Sequence, residues 1–448
     1  MTDPFDSRQA TRLDAITGRF DPWLLLLCGT LLAFGVVMVA SSSIAIGENH
    51  DVGAFYFLNR HLLFVALGLG LAFAATRVEL KWLDQRSQWL LLGCFALLLA
   101  VLIPGLGASV NGARRWLNLL VIRFQAVEAV KVLLIMWLAS YLVRFRDDVP
   151  ATWIAMLKPI GVAIALVALL ILQPDFGSSA LLLAITGGML VLGGASMPRM
   201  FLPVALLLPV LAVIALAAPY RMRRLTSFTD PFADPFGDGY QLSNALMAVG
   251  RGEWFGVGLG GSVQKLAYLP EAHTDFIMAV IAEELGFVGV CAVVGLYALL
   301  VGRAFWIGLR CVEMRRPFPG YLAFGVGLWI GLQSFVSIGV NLGLLPTKGL
   351  TLPLISSGGS SILMTCLAMG LLLRVSYELS RAERQVARLR GDAAAAGMPA
   401  GAPGEAGTDH RAMHASPASA PAADAWQVRG QRGRQVRIEP VLRVEEDA

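Results

Sequence analysis

The sequence predicts an all-α, multi-pass membrane protein, and three observations support this fold class. Apolar residues make up 56% of the 448-residue chain and charged residues only 15%, against roughly 25% charged residues in an ordinary globular protein. The mean hydropathy is +0.66. Long apolar runs recur along the chain, each near the length of about 20 residues that a helix needs to cross a bilayer. This composition excludes a disordered chain and a nucleic-acid-binding domain and argues against a water-soluble enzyme.

Ten apolar runs are candidate spans. They lie at approximately 22–46, 59–76, 88–105, 125–143, 157–173, 177–196, 200–219, 275–302, 318–343 and 352–376. The segment before the first run is too long and too charged for a signal peptide, so we expect the first span to be retained. The predicted organisation is an N-terminal segment (1–21), a membrane domain (22–376) with a large outer loop (220–274) between spans 7 and 8, and a tail (377–448).

The distribution of lysine and arginine predicts that both termini are cytoplasmic, because cytoplasmic loops are enriched in these residues. In this orientation nineteen basic residues lie inside and ten outside. From about residue 391 the tail is rich in Ala, Gly, Pro and Ser, which predicts a mostly disordered segment, with a partner-binding role as the alternative. The outer basic residues run against the rule and suggest a function on that face; they are Arg60, Arg114, Arg115, Arg123, Arg221, Arg223, Arg224, Arg251, Lys265 and Lys348.

Cysteine and histidine indicate neither a disulfide framework nor a metal site. The five cysteines are far apart, without a Cys-x-x-Cys pair, and the five histidines have no metal-ligand spacing. Asp230, Asp234 and Asp238 sit beside Pro or Gly in the outer loop, and turn formation is our interpretation of them. A calcium loop would also need a closing Glu, which is absent here.

Several outer residues are candidates for binding an anion. The glycine run 256–261, flanked by Arg251 and Lys265, is either a flexible loop or a place where backbone N–H groups approach an anion. Two arginine clusters, Arg114-Arg115 and the one at 221–224, fit the phosphates of a lipid headgroup, because guanidinium groups match phosphate oxygens. Structural ion pairing is the alternative for both clusters.

Asp275 is the most informative carboxylate because it directly precedes an apolar span. A helix N-cap is the simple interpretation. Such a residue would also lie at the outer membrane surface, partly desolvated and close to the basic loop. There a carboxylate could act as general base for a sugar hydroxyl, and the two roles are compatible.

Ionisable residues inside the spans are rare and by default functional. Glu128 and Lys131 have i, i+3 spacing, which places them on one helix face as an ion pair or a substrate site. Glu283 and Glu284 lie deeper in the span that follows Asp275, and at least one of them should face the bundle interior.

The segment 341–361 combines two prolines with several glycines and serines where a span should begin. Such a composition predicts a broken or re-entrant segment, which membrane proteins tolerate only where it lines a cavity. Lys348 would then direct a positive charge into that cavity.

Several motifs, in this order along the chain, resemble those of the SEDS family (shape, elongation, division and sporulation). They are Asn111-Gly-Ala-Arg-Arg-Trp116, Gln173-Pro-Asp-Phe-Gly177, Gly239-Tyr-Gln241, Leu269-Pro-Glu-Ala-His-Thr-Asp-Phe276 with Glu283-Glu-Leu-Gly286, and Pro346-Thr-Lys-Gly through Ser360. The resemblance covers about residues 20–385, and Pro-Thr-Lys-Gly is more similar to the division members than to the elongation members. One departure is Gln125-Ala-Val-Glu128, where the family usually has Gln-Pro-Ser-Glu.

The resemblance implies a peptidoglycan glycosyltransferase that polymerises lipid II into β-1,4 glycan strands in the bacterial inner membrane at the division septum. It also implies a partner transpeptidase of the class B penicillin-binding type, together with other membrane proteins of the division complex. The family's essential aspartate corresponds to Asp275. The candidate substrate-binding residues are Arg114, Arg115, Glu128, Lys131, Arg221, Arg224, Gln241, Arg251, Lys265, Lys348, Ser356 and Ser360.

Three alternatives stay open at this point. Asp275 is either a base or a ligand for a divalent cation, Mg²⁺ or Mn²⁺, that neutralises the pyrophosphate. The chain could instead be a lipid II flippase, although Glu128, Lys131, Glu283 and Glu284 offer only a partial polar route across the bilayer. A structural scaffold for the division complex would leave the outer basic residues without a role.

Overall fold

The computed structural model describes residues 16–49, 53–110, 112–119, 122–216, 219–266, 268–347 and 349–395. Over these residues the chain is mainly helical, with one small sheet. The chain divides into two units after Asp392, and the site described below lies within the first unit.

The elements follow the predicted order of spans. The first part of the chain contains α1 (Pro22–Asn49), α2 (Tyr56–Arg77), α3 (Leu80–Gln85), α4 (Ser87–Leu102), β1 (Gly107–Val110), β2 (Ala113–Leu119) and β3 (Ile122–Gln125). The middle contains α5 (Ala126–Arg144), α6 (Asp148–Ala151), α7 (Trp153–Leu172), α8 (Phe176–Leu192) and α9 (Met197–Leu216). The last part contains α10 (Pro219–Thr229), α11 (Tyr240–Gly252), α12 (Ile277–Glu313), α13 (Pro317–Asn341) and α14 (Gly359–Ala395).

Seven of the described helices are long and apolar enough to cross a membrane, namely α1, α2, α5, α7, α12, α13 and α14. Shorter apolar helices stand at the other three predicted positions: α4, α8 and the Met197–Leu206 part of α9. The multi-pass, helical class is therefore confirmed. The count of ten crossings stays a prediction.

Two regions differ from the simple picture of spans and loops. The predicted outer loop between spans 7 and 8 contains two helices, α10 and α11. The last helix begins at Gly359, later than predicted, and continues to Ala395. Its charged continuation is stabilised by ion pairs such as Arg374 Nε to Glu378 Oε1 at 3.0 Å, which have the i, i+4 spacing that favours helix.

The sheet is an antiparallel arrangement in the order β1-β2-β3, and the all-α prediction missed it. The register pairs Val110 with Ala113. Gly112, which lies between them, has a φ of +78°, a conformation that glycine adopts without steric cost. Strand β3 leads directly into α5, so the sheet sits at the end of the bundle where α5 begins.

The centre of the bundle is formed by α13, which packs against α12, α5 and α8. Apolar residues dominate this core, but its largest fully buried side chains include Trp329 of α13 and Lys131 of α5. Charged and polar groups therefore lie inside the bundle, where each needs a partner.

Candidate active site

Non-helical segments meet at the end of the bundle where α5 and α12 begin. The backbone N–H of Gln125, at the end of β3, donates to Ser360 Oγ of α14 at 2.9 Å. Ser356 Oγ, in the segment before α14, donates to the carbonyl of Thr274, in the segment before α12, at 2.6 Å. These bonds bring three of the predicted motifs together around Asp275 and give Ser356 and Ser360 roles in holding them.

Asp275 does not cap its own helix. The N-cap residue of α12 is Phe276, and no side chain from its own segment caps the helix. Instead Asn341, the last residue of α13, comes from across the bundle, and its Oδ1 accepts the N–H of Ala279 at 3.0 Å. The interpretation of Asp275 as an N-cap is therefore wrong, and its carboxylate is left for other chemistry.

The backbone on either side of Asp275 is held from two directions. Asn341 Nδ2 donates to the Asp275 carbonyl at 2.9 Å. Ser356 Oγ bonds the preceding carbonyl, of Thr274, and itself accepts the N–H of Leu352 at 2.8 Å. Two consecutive carbonyl groups are thus fixed by buried side chains, which orients the residue that carries the carboxylate.

The Asp275 carboxylate is partly buried and has neither a hydrogen-bond nor an ion-pair partner among the described residues. Burial raises its pKa from 3.8 to about 7; the nearby charge of Glu271 adds to this rise, and that of Arg224 opposes it. A Cβ at Gly349 would lie 2.9 Å from Asp275 Oδ2, so the chain passes directly over the carboxylate there. The preceding residue, Lys348, lies outside the described residues.

The two neighbouring arginines of β2 have different surroundings. Arg115 is bound to the turn between α7 and α8: its Nε donates to the carbonyl of Gln173 at 3.2 Å, and its guanidinium also donates to the carbonyl of Pro174. Arg114 is exposed. Arg114 is therefore the better placed of the two to meet a substrate.

Helices α10 and α11 carry three further candidates. Arg221 and Arg224 both lie on α10, and the Arg224 side chain is exposed and close enough to act on Asp275. Gln241, at the start of α11, is half-buried. The outer loop thus brings at least one guanidinium near the carboxylate.

Glu283, fully buried in α12, is surrounded by donors. It accepts from Arg251 Nη1 at 2.7 Å, from the backbone N–H of Val263 at 3.0 Å, and from Ser262 Oγ. The predicted anion-binding residue Arg251 is therefore paired with a carboxylate of the protein, although its own side chain is 45% exposed.

Glu284 is paired in the same way. Lys265 Nζ lies 2.7 Å from Glu284 Oε1 and 3.0 Å from Ser41 Oγ of α1, and Ser41 donates to both carboxylate oxygens. Lys265 is buried, so it ties the outer loop to α12 and α1 instead of facing open space.

Helix α12 is broken at Gly286, where φ is +65° and ψ is −163°. The outer loop supplies the hydrogen bonds that the break removes from the helix. The N–H of Gly258 donates to the carbonyl of Glu284 at 3.0 Å, and the N–H of Phe287 donates to the carbonyl of Glu253 at 2.9 Å. The loop therefore completes the helix across the break.

Close backbone contact explains part of the glycine run 256–261. Gly256 has a φ of +78°, and a Cβ there would overlap the backbone of Glu284. A Cβ on Gly286 would overlap the backbone N of Gly256. Gly256 is therefore required by its contact with α12, whereas Gly258 has nothing within 4 Å of its Cβ position.

Glu128 and Lys131 form a buried ion pair with a separation of 2.9 Å. Lys131 Nζ also donates to Gln333 Oε1 at 2.7 Å and lies 4.9 Å from the centroid of a Trp329 ring. Gln333 Nε2 continues the network to the carbonyl of Thr351 at 2.9 Å. The pair thus links α5 and α13 to the segment before α14, while Glu128 Oε2 is buried without a hydrogen-bond partner in the described parts of the chain.

Sequence reasoning missed two polar residues at the site, Asn341 and Gln333. Both lie on α13 and are fully buried, and each bonds a segment that flanks Asp275 or the Glu128–Lys131 pair. A polar amide within an apolar span is itself a signal, because such a group needs a buried partner.

No group of three or more His, Cys, Asp or Glu residues in the described parts of the chain could hold a metal ion by itself. Asp275 and Glu271 are the carboxylates at the site. This donor set fits a Mg²⁺ ion that is held by one or two carboxylates and by the phosphates of its substrate.

These features define a class: a multi-pass membrane protein with a braced carboxylate, unpaired among the described residues, where a broken helix begins. The family of FtsW/RodA/SpoVE cell cycle proteins matches residues 22–381, and the chain belongs to this family. The SEDS resemblance is therefore confirmed.

Curated relatives cover most of the chain. A protein of Xanthomonas oryzae pv. oryzae, described as "Probable peptidoglycan glycosyltransferase FtsW", is 68% identical over 396 residues, which are 88% of this chain and 81% of the relative. A protein of Halorhodospira halophila with the same description is 50% identical over 365 residues, which are 82% of this chain and 92% of the relative.

Two solved structures share the fold. One comes from work on "Structural coordination of polymerization and crosslinking by a peptidoglycan synthase complex"; it is 31% identical with a TM-score of 0.66, and the match covers 80% of this chain and 98% of that one. The other is the rod shape determining protein RodA of Thermus thermophilus, 27% identical with a TM-score of 0.58, covering 80% and 96%.

Proposed function

We propose that this chain is a peptidoglycan glycosyltransferase that polymerises lipid II into β-1,4 glycan strands. The observation that carries the proposal is the Asp275 carboxylate, which is fixed through its backbone yet has no partner among the described residues. Burial raises its pKa to about 7. A general base works best when its pKa lies near the operating pH.

In the proposed reaction the 4-hydroxyl of the acceptor sugar attacks the anomeric carbon of the donor. A new C–O bond forms as the bond from that carbon to the pyrophosphate oxygen breaks. The α-linked donor therefore gives a β-1,4 link by inversion. Asp275 accepts the hydroxyl proton, and undecaprenyl pyrophosphate leaves with the bonding electron pair.

Charge on the leaving group needs stabilisation, and guanidinium groups suit phosphate oxygens. Among the described candidates, Arg114 and Arg224 are exposed and appear in no ion pair with a protein carboxylate. We assign these two to the pyrophosphate. Arg115, Arg251 and Lys265 shape the surrounding loops through the contacts described above.

The alternative role for Asp275 is that of a ligand for a divalent cation, Mg²⁺ or Mn²⁺. With Glu271 nearby, Asp275 would then hold the ion together with the substrate phosphates instead of accepting the hydroxyl proton. The ion would supply additional neutralisation of the leaving group's charge.

The membrane setting suits this substrate, because its lipid tails can stay in the bilayer while the sugars meet Asp275. We place the protein in the bacterial inner membrane at the division septum, with both termini cytoplasmic. Its proposed partner is a class B penicillin-binding transpeptidase, within the division complex. The likeness to a chain from a complex for polymerization and crosslinking supports such a partner.

The decisive experiment is polymerisation of lipid II by the purified protein with its transpeptidase partner. We expect Asp275→Ala to give no polymer while unfolding at or above the wild-type temperature. Full polymer yield from this folded variant would disprove the catalytic assignment. Arg123→Ala is a control, since Arg123 is also an exposed outer arginine but has no assigned role.

Measuring headgroup translocation in liposomes distinguishes the glycosyltransferase from the alternative function, a lipid II flippase. A flippase would move lipid II without polymerising it, and Asp275→Ala would leave that transport intact. The paired state of Glu128, Lys131, Glu283 and Glu284 supports the transferase, because these charges are already used in holding the bundle together.

A further inference from the structure

A groove with a volume of about 400 Å³ lies between α4 and α5, at the end of the bundle opposite to Asp275. Helix α5 begins beside the candidate active site, and its 19 residues extend for about 28 Å. This length is close to the thickness of about 30 Å of the hydrocarbon core of a bilayer. The groove therefore lies near the other membrane surface, which is cytoplasmic in the orientation proposed above. It is lined by Gln88, Leu91, Trp137, Tyr141, Arg144 and Phe145.

One wall of the groove is aromatic. Trp137, Tyr141 and Phe145 are spaced four residues apart, which places them on one face of α5 and its C-terminal end. The ring centroids of Trp137 and Tyr141 are 5.5 Å apart, and those of Tyr141 and Phe145 are 4.6 Å apart. The Tyr141 hydroxyl donates to the carbonyl of Ala155 in α7 at 2.7 Å, so its hydrogen bond is made within the bundle. The wall thus offers apolar surface suited to a hydrocarbon chain.

Arg144, the last residue of α5, supplies a cation at the end of this wall, and its side chain is exposed. Its Nη2 donates to Ser140 Oγ at 2.7 Å and also to Ser87 Oγ. Within the described parts of the chain, Nε and Nη1 form no hydrogen bond, and the guanidinium forms no ion pair. The two serines therefore orient the guanidinium and leave the rest of its donors to another group.

A second cation stands beside the groove. Lys158 of α7 is exposed, and its Nζ lies 5.7 Å from the centroid of the Phe145 ring. Two carboxylates are also near: Asp84 accepts a hydrogen bond from Ser140 Oγ, and Asp148 is close enough to act on Tyr141. These carboxylates oppose a highly charged anion, so a phosphodiester with one negative charge fits better than a doubly charged group.

We propose that this groove binds one anionic phospholipid of the cytoplasmic leaflet. Its phosphodiester would meet Arg144 and Lys158, and an acyl chain would follow the aromatic wall. Guanidinium donors match phosphate oxygens, and basic pockets between membrane helices on the cytoplasmic side bind anionic headgroups. A free phosphate would use only the cationic end of the groove, and an apolar helix only the aromatic wall. The lipid site does not depend on the chemistry at Asp275.

The test is native mass spectrometry of the full chain in a neutral detergent, titrated with phosphatidylglycerol or with phosphatidylcholine. We expect one phosphatidylglycerol to be retained at lower lipid concentrations than phosphatidylcholine. Arg144→Gln should weaken this binding on the order of 10-fold, because hydrogen bonds to a charged group are lost. Lys158→Ala should weaken it by a smaller factor.

Arg77→Gln is the matched control for the cation. Arg77 ends α2 at the same end of the bundle, is exposed, and has its guanidinium 4.7 Å from the centroid of the Phe73 ring. It does not line the groove. The variant should therefore retain phosphatidylglycerol as wild type does.

Gln88→Trp tests the groove itself, because it keeps every cation and fills the space beside the wall. It should weaken phosphatidylglycerol binding as much as Arg144→Gln does. Thermal unfolding is measured for each variant. If Arg144→Gln does not fold because it loses its bonds to Ser87 and Ser140, the Lys158 and Gln88 variants decide, since both side chains are exposed.

Three results would overturn the lipid site. The first is equal retention of the two lipids, or an effect of Arg77→Gln as large as that of Arg144→Gln, which would reduce the binding to general surface charge. The second is displacement of the lipid by millimolar inorganic phosphate, which would make the ligand a free anion. The third is a dimer mass that Gln88→Trp abolishes while lipid binding is unchanged, which would give the groove to a second copy of the chain. Polymerisation is not measured, so failure of the proposed function would leave this test intact.

Discussion

Two sets of carboxylates along one stretch of chain have opposite surroundings. Asp275 stands just before α12, partly exposed and without a described partner. Glu283 and Glu284 lie two turns further on with 0% exposure. Each is paired with a cation at 2.7 Å, Arg251 for the first and Lys265 for the second.

This difference in surroundings distinguishes the carboxylates that hold the structure together from the carboxylate at the candidate active site. The buried carboxylates each have a cation and further donors as partners, and through these contacts they hold the outer loop against the broken helix. The Asp275 carboxylate has no such cation among the described residues, and burial is the main cause that raises its pKa. Residues that the sequence presents as one run of acidic and basic groups therefore have two different tasks.

The largest expected effect concerns the buried ion pair between Lys265 and Glu284. Lys265→Met leaves the fully buried Glu284 charge without its cation, and loss of one partner from a buried pair costs about 3–5 kcal/mol of unfolding free energy. Equilibrium unfolding in detergent measures this cost. The matched control, Lys265→Met with Glu284→Gln, should recover much of it, because no uncompensated charge remains. A single variant as stable as wild type would contradict the structural role of the pair.

A smaller effect tests the break that these carboxylates flank. Gly286 has a conformation that is essentially restricted to glycine, with strain of about 1–3 kcal/mol for other residues. Its Cβ would also overlap the backbone N of Gly256. Gly286→Ala should therefore destabilise the protein by about 2–3 kcal/mol in the same unfolding measurement.

Gly258→Ala is the control for this prediction. Its φ of +93° is also unfavourable for alanine, but nothing lies within 4 Å of its Cβ position. The difference between the two variants isolates the overlap between helix and loop. Equal losses would show that the loop does not pack against the break as described.

The fold could be predicted largely from hydropathy, because apolar runs of membrane length report helices directly. Apolar helices stand at all ten predicted positions. The sheet was missed although the sequence between β1 and β2 includes an Asn-Gly pair, which is a strong hairpin signal. The distribution of charged residues assigned this segment to an outer loop, and the alternation of residues that is typical of strands was not used.

The site was predicted unevenly. Asp275 stood out because charge is scarce next to a span. The roles of Arg115 and Lys265 could not be separated from those of exposed neighbours such as Arg114, because pairing depends on residues distant in sequence, Gln173 and Glu284. The same reason hid Asn341, whose partners lie more than sixty residues earlier.

The smallest expected effect concerns Asp275. Here the substitution should raise the free energy of unfolding, whereas the other substitutions should lower it. The pKa of Asp275 rises from 3.8 to about 7 on folding, so above about pH 7 the ionised group destabilises the folded state. This penalty falls as the pH drops from 7 toward 3.8, where both states bind the proton. Asp275→Asn should therefore stabilise the protein by about 1–2 kcal/mol at about pH 8, allowing for partial exposure, and by progressively less as the pH falls.

Unfolding of Asp275→Asn across this pH range, beside the exposed control Asp238→Asn, measures the effect. The control should stay within about 0.5 kcal/mol of wild type throughout, as surface substitutions usually do. If Asp275→Asn instead lost stability at pH 8, the carboxylate would have to be engaged in a stabilising contact like those of Glu283 and Glu284. A variant that is more stable and yet inactive would show that the protein keeps a carboxylate here against its own stability, as a catalytic base requires.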